Sequence, residues 1–320
     1  MTTLRRENGN SPGLLQKTIW LGQAALFRGG TRLLALIPTP FIPAVGNALG
    51  RFCFLLLASR RRVALAGIME SLPSLPPGSD PQRIARGCFV NLGTSFIENC
   101  KLYQGMDRML HQVKIEGLEH YLSAKEMGKG VIFITGHCGN WELVALTFGF
   151  RHDPFVVMVR EQKNPYLTLC IEAMRTRYGN SLIYKKTAIR EMMKLFRKNG
   201  VTGMLIDQAV MPSEGYLIDF LGRPAWTTSM PVLMARKCGV ALLPAFIIRE
   251  GDGHRIVIHP QVEFPSDDMS DESLARDTAT LTRYVDDFVR SYPEQWYWVH
   301  RRWKSREKTD QSDSALRTKR

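Results

Sequence analysis

Val131-Ile132-Phe133-Ile134-Thr135-Gly136-His137-Cys138-Gly139-Asn140-Trp141-Glu142 is the stretch on which the reading of this chain turns. Its first five residues are apolar or β-branched, the composition of a strand buried on both faces. Gly136 breaks the run, and residues 143–148 resume an apolar pattern compatible with a helix. The polar cluster therefore falls at the carboxyl end of a strand, where open α/β sheets gather their ligands. His137 and Glu142 stand with four residues between them. An imidazole takes a proton near neutral pH, and a carboxylate orients it and stabilises its charged form, so the pair suits general-base chemistry. The bland alternative is a helix start, with Asn140 as N-cap and Glu142 favoured by the helix dipole. Short motifs match often by chance, so the rest of the chain must decide.

Outward from this stretch the chain alternates strand, polar tip and helix. Residues 113–116 read as a strand, 118–127 as a helix, and 155–159 as a second buried strand ending at Arg160. A helix over 166–177, a strand over 181–184 and an amphipathic helix over 188–198 follow, the last stopped by Asn199-Gly200. Residues 202–206 read as a strand that ends at Asp207-Gln208. Upstream, Asp80-Pro81 opens a helix to Tyr103, with Asp as N-cap and Pro at the first helical position. Downstream, 216–221 is extended and reaches Gly222-Arg223, and 230–237 is a helix. Residues 241–248 and 254–259 are strands joined by a hairpin turn at Glu250-Gly251-Asp252-Gly253. A long helix over 267–292 completes the pattern. The expected fold class is α/β: a single domain with a central, mostly parallel or mixed sheet flanked by helices.

The net charge of +13 is segregated. Residues 1–62 carry +8 and residues 299–320 carry +5, while 63–298 are neutral with 26 basic and 26 acidic residues. A basic body would point to nucleic acid; a neutral body with basic ends does not. Residues 18–57 are apolar but broken by Arg28, Arg32, Pro38, Pro40, Pro43 and Arg51. They lack the uninterrupted run of about eighteen apolar residues that a clean membrane span needs, and no signal-peptide cleavage pattern follows them. Two apolar helices with a proline break, closing on Arg60-Arg61-Arg62, fit an interfacial anchor that lies on an anionic leaflet. The expected division is a disordered 1–17, a membrane-associating helical segment 18–62, a catalytic domain 63–304 and a basic disordered tail 305–320. The six cysteines show no CxxC or metal-like spacing, so no metal or cofactor is expected and the thiols read as buried hydrophobes.

Candidate substrate contacts lie at the strand tips. Arg160 and Asn164 follow the second strand, where a cation suits a phosphate, although Asn164 before Pro165 is equally a helix cap. Asp207 reads as an orienting carboxylate or a turn-forming residue. Arg223 and Thr227 can meet anionic head groups or belong to a satisfied loop. Backbone amides around Gly139 and Asn140, or Arg160, are candidate oxyanion donors.

These pieces in this order resemble the lipid A late acyltransferase family within the glycerolipid acyltransferase superfamily. The resemblance runs from about Arg32 to Lys304. It is carried by the His137 to Glu142 motif, Arg160 with Asn164-Pro165, Asp207-Gln208, Phe220-Leu221-Gly222-Arg223 with Thr227, and Pro293-Glu294-Gln295-Trp296-Tyr297-Trp298-Val299-His300-Arg301-Arg302-Trp303. It implies acyl transfer from an acyl-carrier-protein (or acyl-CoA) thioester to a hydroxyl of a membrane glycolipid, most simply a lipid A precursor. It also implies the cytoplasmic face of the inner membrane, His137 and Glu142 as the catalytic pair, and Asn140, Arg160, Asn164, Asp207, Gln208, Arg223 and Thr227 around the substrates. Asp219 and Leu221 depart from the family's usual Pro-Phe-Phe-Gly-like run, and Met211-Pro212-Ser213-Glu214 is atypical too. Both departures bear on the acceptor, leaving another glycolipid, a phospholipid or an aminolipid as alternatives. A thioester or ester hydrolase would use the same pair, but no Gly-x-Ser-x-Gly nucleophile elbow occurs.

Overall fold

The computed structural model describes residues 13–159, 163–184 and 188–304. Its strands are β1 (Lys114–Glu116), β2 (Val131–Thr135), β3 (Phe155–Val159), β4 (Ser181–Tyr184), β5 (Val201–Leu205), β6 (Gly215–Phe220), β7 (Arg223–Thr228), β8 (Ala241–Glu250) and β9 (Gly253–Ile258). Seven of them form one sheet in the order β1-β9-β8-β2-β5-β3-β4. The five strands from β8 to β4 run parallel, and the β8–β9 hairpin turns β9 and its neighbour β1 against the rest. The sheet is therefore mixed, as expected.

β2 lies at the centre, and all five of its residues are buried. Alternation sends Ile132 and Ile134 into one core and Val131 and Phe133 into the other. That is why the opening run carries no charged or large polar residue. The helices are α1 (Leu14–Ala35), α2 (Ile42–Leu56), α3 (Ala58–Ser71), α4 (Pro81–Tyr103), α5 (Arg108–Gln112), α6 (Leu118–Glu126), α7 (Glu142–Arg151), α8 (Pro165–Arg175), α9 (Ala188–Phe196), α10 (Met230–Cys238) and α11 (Asp271–Ser291). Asp80 caps α4 as expected, accepting from the Gln82 amide.

α2 docks on α4 backbone to backbone. A Cβ at Gly46 would meet Thr94 at 2.4 Å, and one at Gly50 would meet the Phe89 carbonyl oxygen at 2.4 Å. Glycines here permit a crossing that any side chain would pry apart. One face of α2 is thus committed to the protein, while Phe52, Leu55 and Leu56 stay exposed. The helical stretch Thr39–Leu56 reaches the length and composition of a candidate span, at 18 residues and mean hydropathy 1.2. α1 begins at Leu14, inside the stretch expected to be unstructured; residues 1–12 and the tail 305–320 lie outside the described residues.

One placement differs from the sequence reading. Gly222-Arg223, expected at a tip of the main sheet, belongs to a separate antiparallel hairpin of β6 and β7. Leu221 and Gly222 take φ of +54° and +75°, the two left-handed residues of a tight hairpin turn. A leucine does not announce such a turn. It is held because its side chain is buried and its amide donates to the Asp286 carboxylate at 3.2 and 3.3 Å.

Candidate active site

The register of β2 on β5 builds the site. Thr135 stands opposite Leu205, and the Ile206 amide donates to the Thr135 carbonyl at 3.0 Å. Two residues beyond each strand, His137 and Asp207 leave the sheet side by side. His137 Nδ1 lies 2.8 Å from Asp207 Oδ1, and the His137 amide donates to Oδ2 at 2.8 Å. The indole of Trp296 also donates to Oδ2, at 2.8 Å. Asp207 is buried, which would raise its carboxyl, but the charge and hydrogen bonds of His137 and the Trp296 indole hold it down at about 2. An ionised carboxylate only accepts, so Nδ1 donates to Asp207, and in the neutral imidazole the Nε2 lone pair is left to accept. Gln208 places its side-chain amide 3.1 Å from that Nε2.

Aromatic rings wall the imidazole. Trp141 and Tyr297 have centroids 5.0 and 5.7 Å from it, and the Tyr297 amide donates to the His137 carbonyl at 3.1 Å. Trp296, Trp298 and Trp303 are buried, so they belong to the core rather than to a membrane interface.

Glu142 sits in the first turn of α7, and its carboxylate bonds Arg175 instead of the imidazole. Arg175 Nε lies 2.9 Å from Oε2, with a second, parallel contact from the guanidinium to Oε1. The carboxylate that touches His137 is Asp207, 70 positions on, and not the one that closes the His137 motif. The helix-cap alternative for Asn140 is also corrected. Trp141 occupies the N-cap without a side-chain bond, and Asn140 is buried, donating to Glu98 at 2.9 Å and Asn99 at 3.1 Å.

Glu98 is the centre of a buried network under the motif. Arg249 grips it with two contacts and also reaches Asn91 at 3.1 Å and Ser95 at 2.8 Å; His254 Nε2 lies 3.0 Å from the same carboxylate. Burial works against the charge of Glu98, yet His254 and Arg249 hold its carboxyl at about 2. Asn91 in turn donates to the Gly139 carbonyl at 3.2 Å. Gly139 has φ +54°, and a Cβ there would meet the Ile247 carbonyl oxygen at 2.4 Å. Its amide donates to the Gln295 carbonyl at 2.9 Å, so it is committed to the turn and does not serve an oxyanion.

The remaining candidates divide. Arg160 lies outside the described residues. Asn164 caps α8, accepting from Tyr166 and Leu167, and is buried while its amide holds Trp20 and Gln23 of α1 at 3.0 and 2.9 Å. Arg223 pairs with Glu70 and stacks over Trp303 with a centroid distance of 4.0 Å. Thr227 is buried, donating to the Ala225 carbonyl and receiving Arg302. Each of these three ties one element of the fold to another. Cys138 is wholly buried and its thiol is pushed well above its usual value by burial and by Asp207, which leaves it no thiolate character. Sequence reasoning missed Glu98, Arg175 and Arg249, and had only the Gln295-Trp296-Tyr297 run as a signal for the far wall. Among the described residues no group of three or more His, Cys, Asp or Glu is placed to hold a metal ion.

Known proteins resemble this chain over most of its length. The family model described as bacterial lipid A biosynthesis acyltransferase matches residues 10–305. The chain is 25% identical over 292 residues to the lipid A biosynthesis lauroyltransferase of Escherichia coli (strain K12), covering 90% of this chain and 91% of that protein. It is 26% identical over 293 residues to the lipid A biosynthesis myristoyltransferase of the same organism, covering 90% and 87%. It is also 22% identical over 236 residues to a phosphatidylinositol mannoside acyltransferase of Mycolicibacterium smegmatis (strain ATCC 700084 / mc(2)155), covering 71% and 75%.

Proposed function

The chain belongs to the bacterial lipid A biosynthesis acyltransferase family, and on that premise we propose that it moves a fatty acyl chain from an acyl-carrier-protein or acyl-CoA thioester to a hydroxyl of a lipid A precursor. That it is an acyltransferase follows from the family; the donor, the acceptor and the residue roles are our reading. The observation that carries the reading is the imidazole of His137, held on one nitrogen by buried Asp207 and presenting the other beside Gln208.

His137 Nε2 takes the proton of the acceptor hydroxyl as its oxygen attacks the thioester carbonyl. The imidazolium that forms is stabilised by Asp207. The tetrahedral adduct expels the thiolate, which takes the proton back from Nε2, so an ester and a free thiol leave. A thioester is already activated, so no acyl-enzyme is needed, and buried Cys138 is not used as a nucleophile. In this reading the Gln208 amide, 3.1 Å from Nε2, turns to donate to the developing oxyanion once substrate displaces it; one good donor is worth about 3–4 kcal/mol. Glu142, at the start of α7, acts through Arg175, which its carboxylate anchors. Arg160 directly follows Val159, the last residue of β3, and is assigned to a substrate phosphate.

The N-terminal helices supply the membrane contact in this reading. Leu14, Leu15, Leu26, Leu33 and Leu36 of the α1 region are each at least 70% exposed, and Phe41, Phe52, Leu55 and Leu56 extend the apolar surface over α2. A surface of that kind beside cationic residues suits monotopic attachment of segment 18–62 to the cytoplasmic face of the inner membrane.

The test is incubation of the purified full chain with an acyl thioester and a lipid A precursor, read by mass spectrometry. Addition of one acyl chain, lost in His137→Ala with the fold retained, is the expected result. Free fatty acid released without an acceptor would move the protein to the hydrolases. Acylation of a mannoside phospholipid in place of the lipid A precursor would reassign the acceptor, a reading that one relative's name keeps in view.

A further inference from the structure

A groove of about 760 Å³ runs between α1 and α8 over the end of α4, apart from the His137–Asp207 pair. We infer that this groove binds one phosphate-bearing amphiphile, with its phosphate at Arg28, Arg32 and Arg177 and its alkyl chain along the apolar half.

The groove is held open by tethers. Asn164 fixes the early part of α1 through Trp20 and Gln23, Lys101 holds the Ala35 carbonyl at 2.9 Å, and Gln104 reaches Thr31 at 3.5 Å. Between those points α1 presents Ala24, Ala25 and Gly29 to the groove beside Phe27 and Arg28, and a Cβ at Gly29 would meet nothing within 4 Å. The two helices run in the same sense: Asn164 at the start of α8 meets residues 20 and 23, and Arg177 lies just past the end of α8. Arg177 donates to the Tyr103 carbonyl at 2.9 Å, and the Tyr103 ring packs on Phe27 at 5.3 Å. Polarity is therefore graded along the groove. Leu21, Leu169 and Cys170 line its apolar half, and Arg28, Arg32 and Arg177 line the other. From Leu21 to Arg32 the helix rises about 16 Å, enough for a medium-length alkyl chain to lie along it.

No carboxylate lines the groove among the described residues. Three arginines around a largely apolar slot favour an anionic, multiply accepting phosphate head group, because guanidinium binds phosphate through paired hydrogen bonds. The same helix α1 carries exposed leucines beside those that line the groove, so a bilayer that they contact can supply such a ligand. The phosphate can come from the glycolipid acceptor or from a bilayer phospholipid; both present an anionic phosphate on a lipid that carries alkyl chains. Occupancy of the groove is independent of the acyl-transfer reading.

Cys170 gives a local readout because it lines the groove and is partly exposed. The full chain in a non-ionic detergent is treated with a maleimide, and modification of the Cys170 peptide is followed by mass spectrometry. Dodecyl phosphate is expected to slow modification about tenfold, and the double variant Arg28→Gln with Arg32→Gln is expected to lose that protection. Both arginines are exposed on a helix, so the fold is retained. Gly29→Phe, which fills the slot, is expected to protect Cys170 without any ligand. His137→Ala should protect as the native protein does, which separates this test from that of the reaction. Equal protection by dodecanol, equal protection by inorganic phosphate, or full protection in the double variant would overturn the proposal. Protection by phosphatidylglycerol vesicles identifies a bilayer source. A raised acceptor KM at unchanged kcat in the double variant identifies the acceptor's own phosphate.

Discussion

Asp207 and Glu142 divide between them what the sequence reading expects of a single carboxylate near His137, and the division can be measured. Asp207→Asn removes the acceptor that fixes the imidazole tautomer, so kcat should fall by about 10³–10⁴ with little change in KM. Glu142→Gln leaves Arg175 short of its partner and should lower stability by about 1–3 kcal/mol. Its effect on kcat should be smaller than that of Asp207→Asn. Kinetics and thermal unfolding of both variants check this, and a near-native kcat in Asp207→Asn would defeat the assignment. Cys138→Ala should keep most of its activity, because the buried thiol touches no reacting atom. His137 is legible in the sequence because a strand, a glycine and a histidine occur in one short run. Asp207 reads there only as an orienting carboxylate or a turn residue, because its contact with His137 spans 70 positions and depends on which strand neighbours β2.

The helices that carry the site contribute through buried polar groups. On α4, Glu98 neutralises Arg249 and holds Asn140 under the motif. Removing one partner of a buried pair costs about 3–5 kcal/mol, so Glu98→Gln should destabilise by that order and lower kcat through the displaced turn. The folded carboxyl of Glu98, at about 2, lies below its unfolded value of about 4.3. Its contribution to stability is therefore complete above about pH 4.3 and is lost as pH falls toward 2. Between those limits the native protein should lose stability with acid more steeply than Glu98→Gln does, as denaturant unfolding at several pH values would record. At α8, Asn164→Ala removes the cap and the tether to α1 together. A loss of about 0.5–2 kcal/mol from the cap is expected, with faster proteolysis of α1 as the specific sign that the tether has gone.

For the whole molecule the decisive property is where charge and exposed apolar area fall. Replacing Leu14, Leu15, Leu26 and Leu33 with Gln should release the protein from phosphatidylglycerol vesicles in a flotation assay. Each leucine withdrawn from water contributes about 1.5–3 kcal/mol, and the basic residues add about 1 kcal/mol each near an anionic surface. Raised salt should weaken binding of the native chain only in part, since the apolar share is not screened. The sequence by itself determined the α/β alternation, the buried central strand, the α4 cap and the segregated charge, because each rests on neighbours within a few positions. Only the tertiary structure decided that Asp207 touches His137, that Asn140 and Asn164 tie one element to another, and that β6 and β7 form their own hairpin. Those facts depend on strand order and register, which bring residues far apart in the chain to one edge. Around Val131 to Glu142 the sequence could present the base, and the fold had to choose its partner.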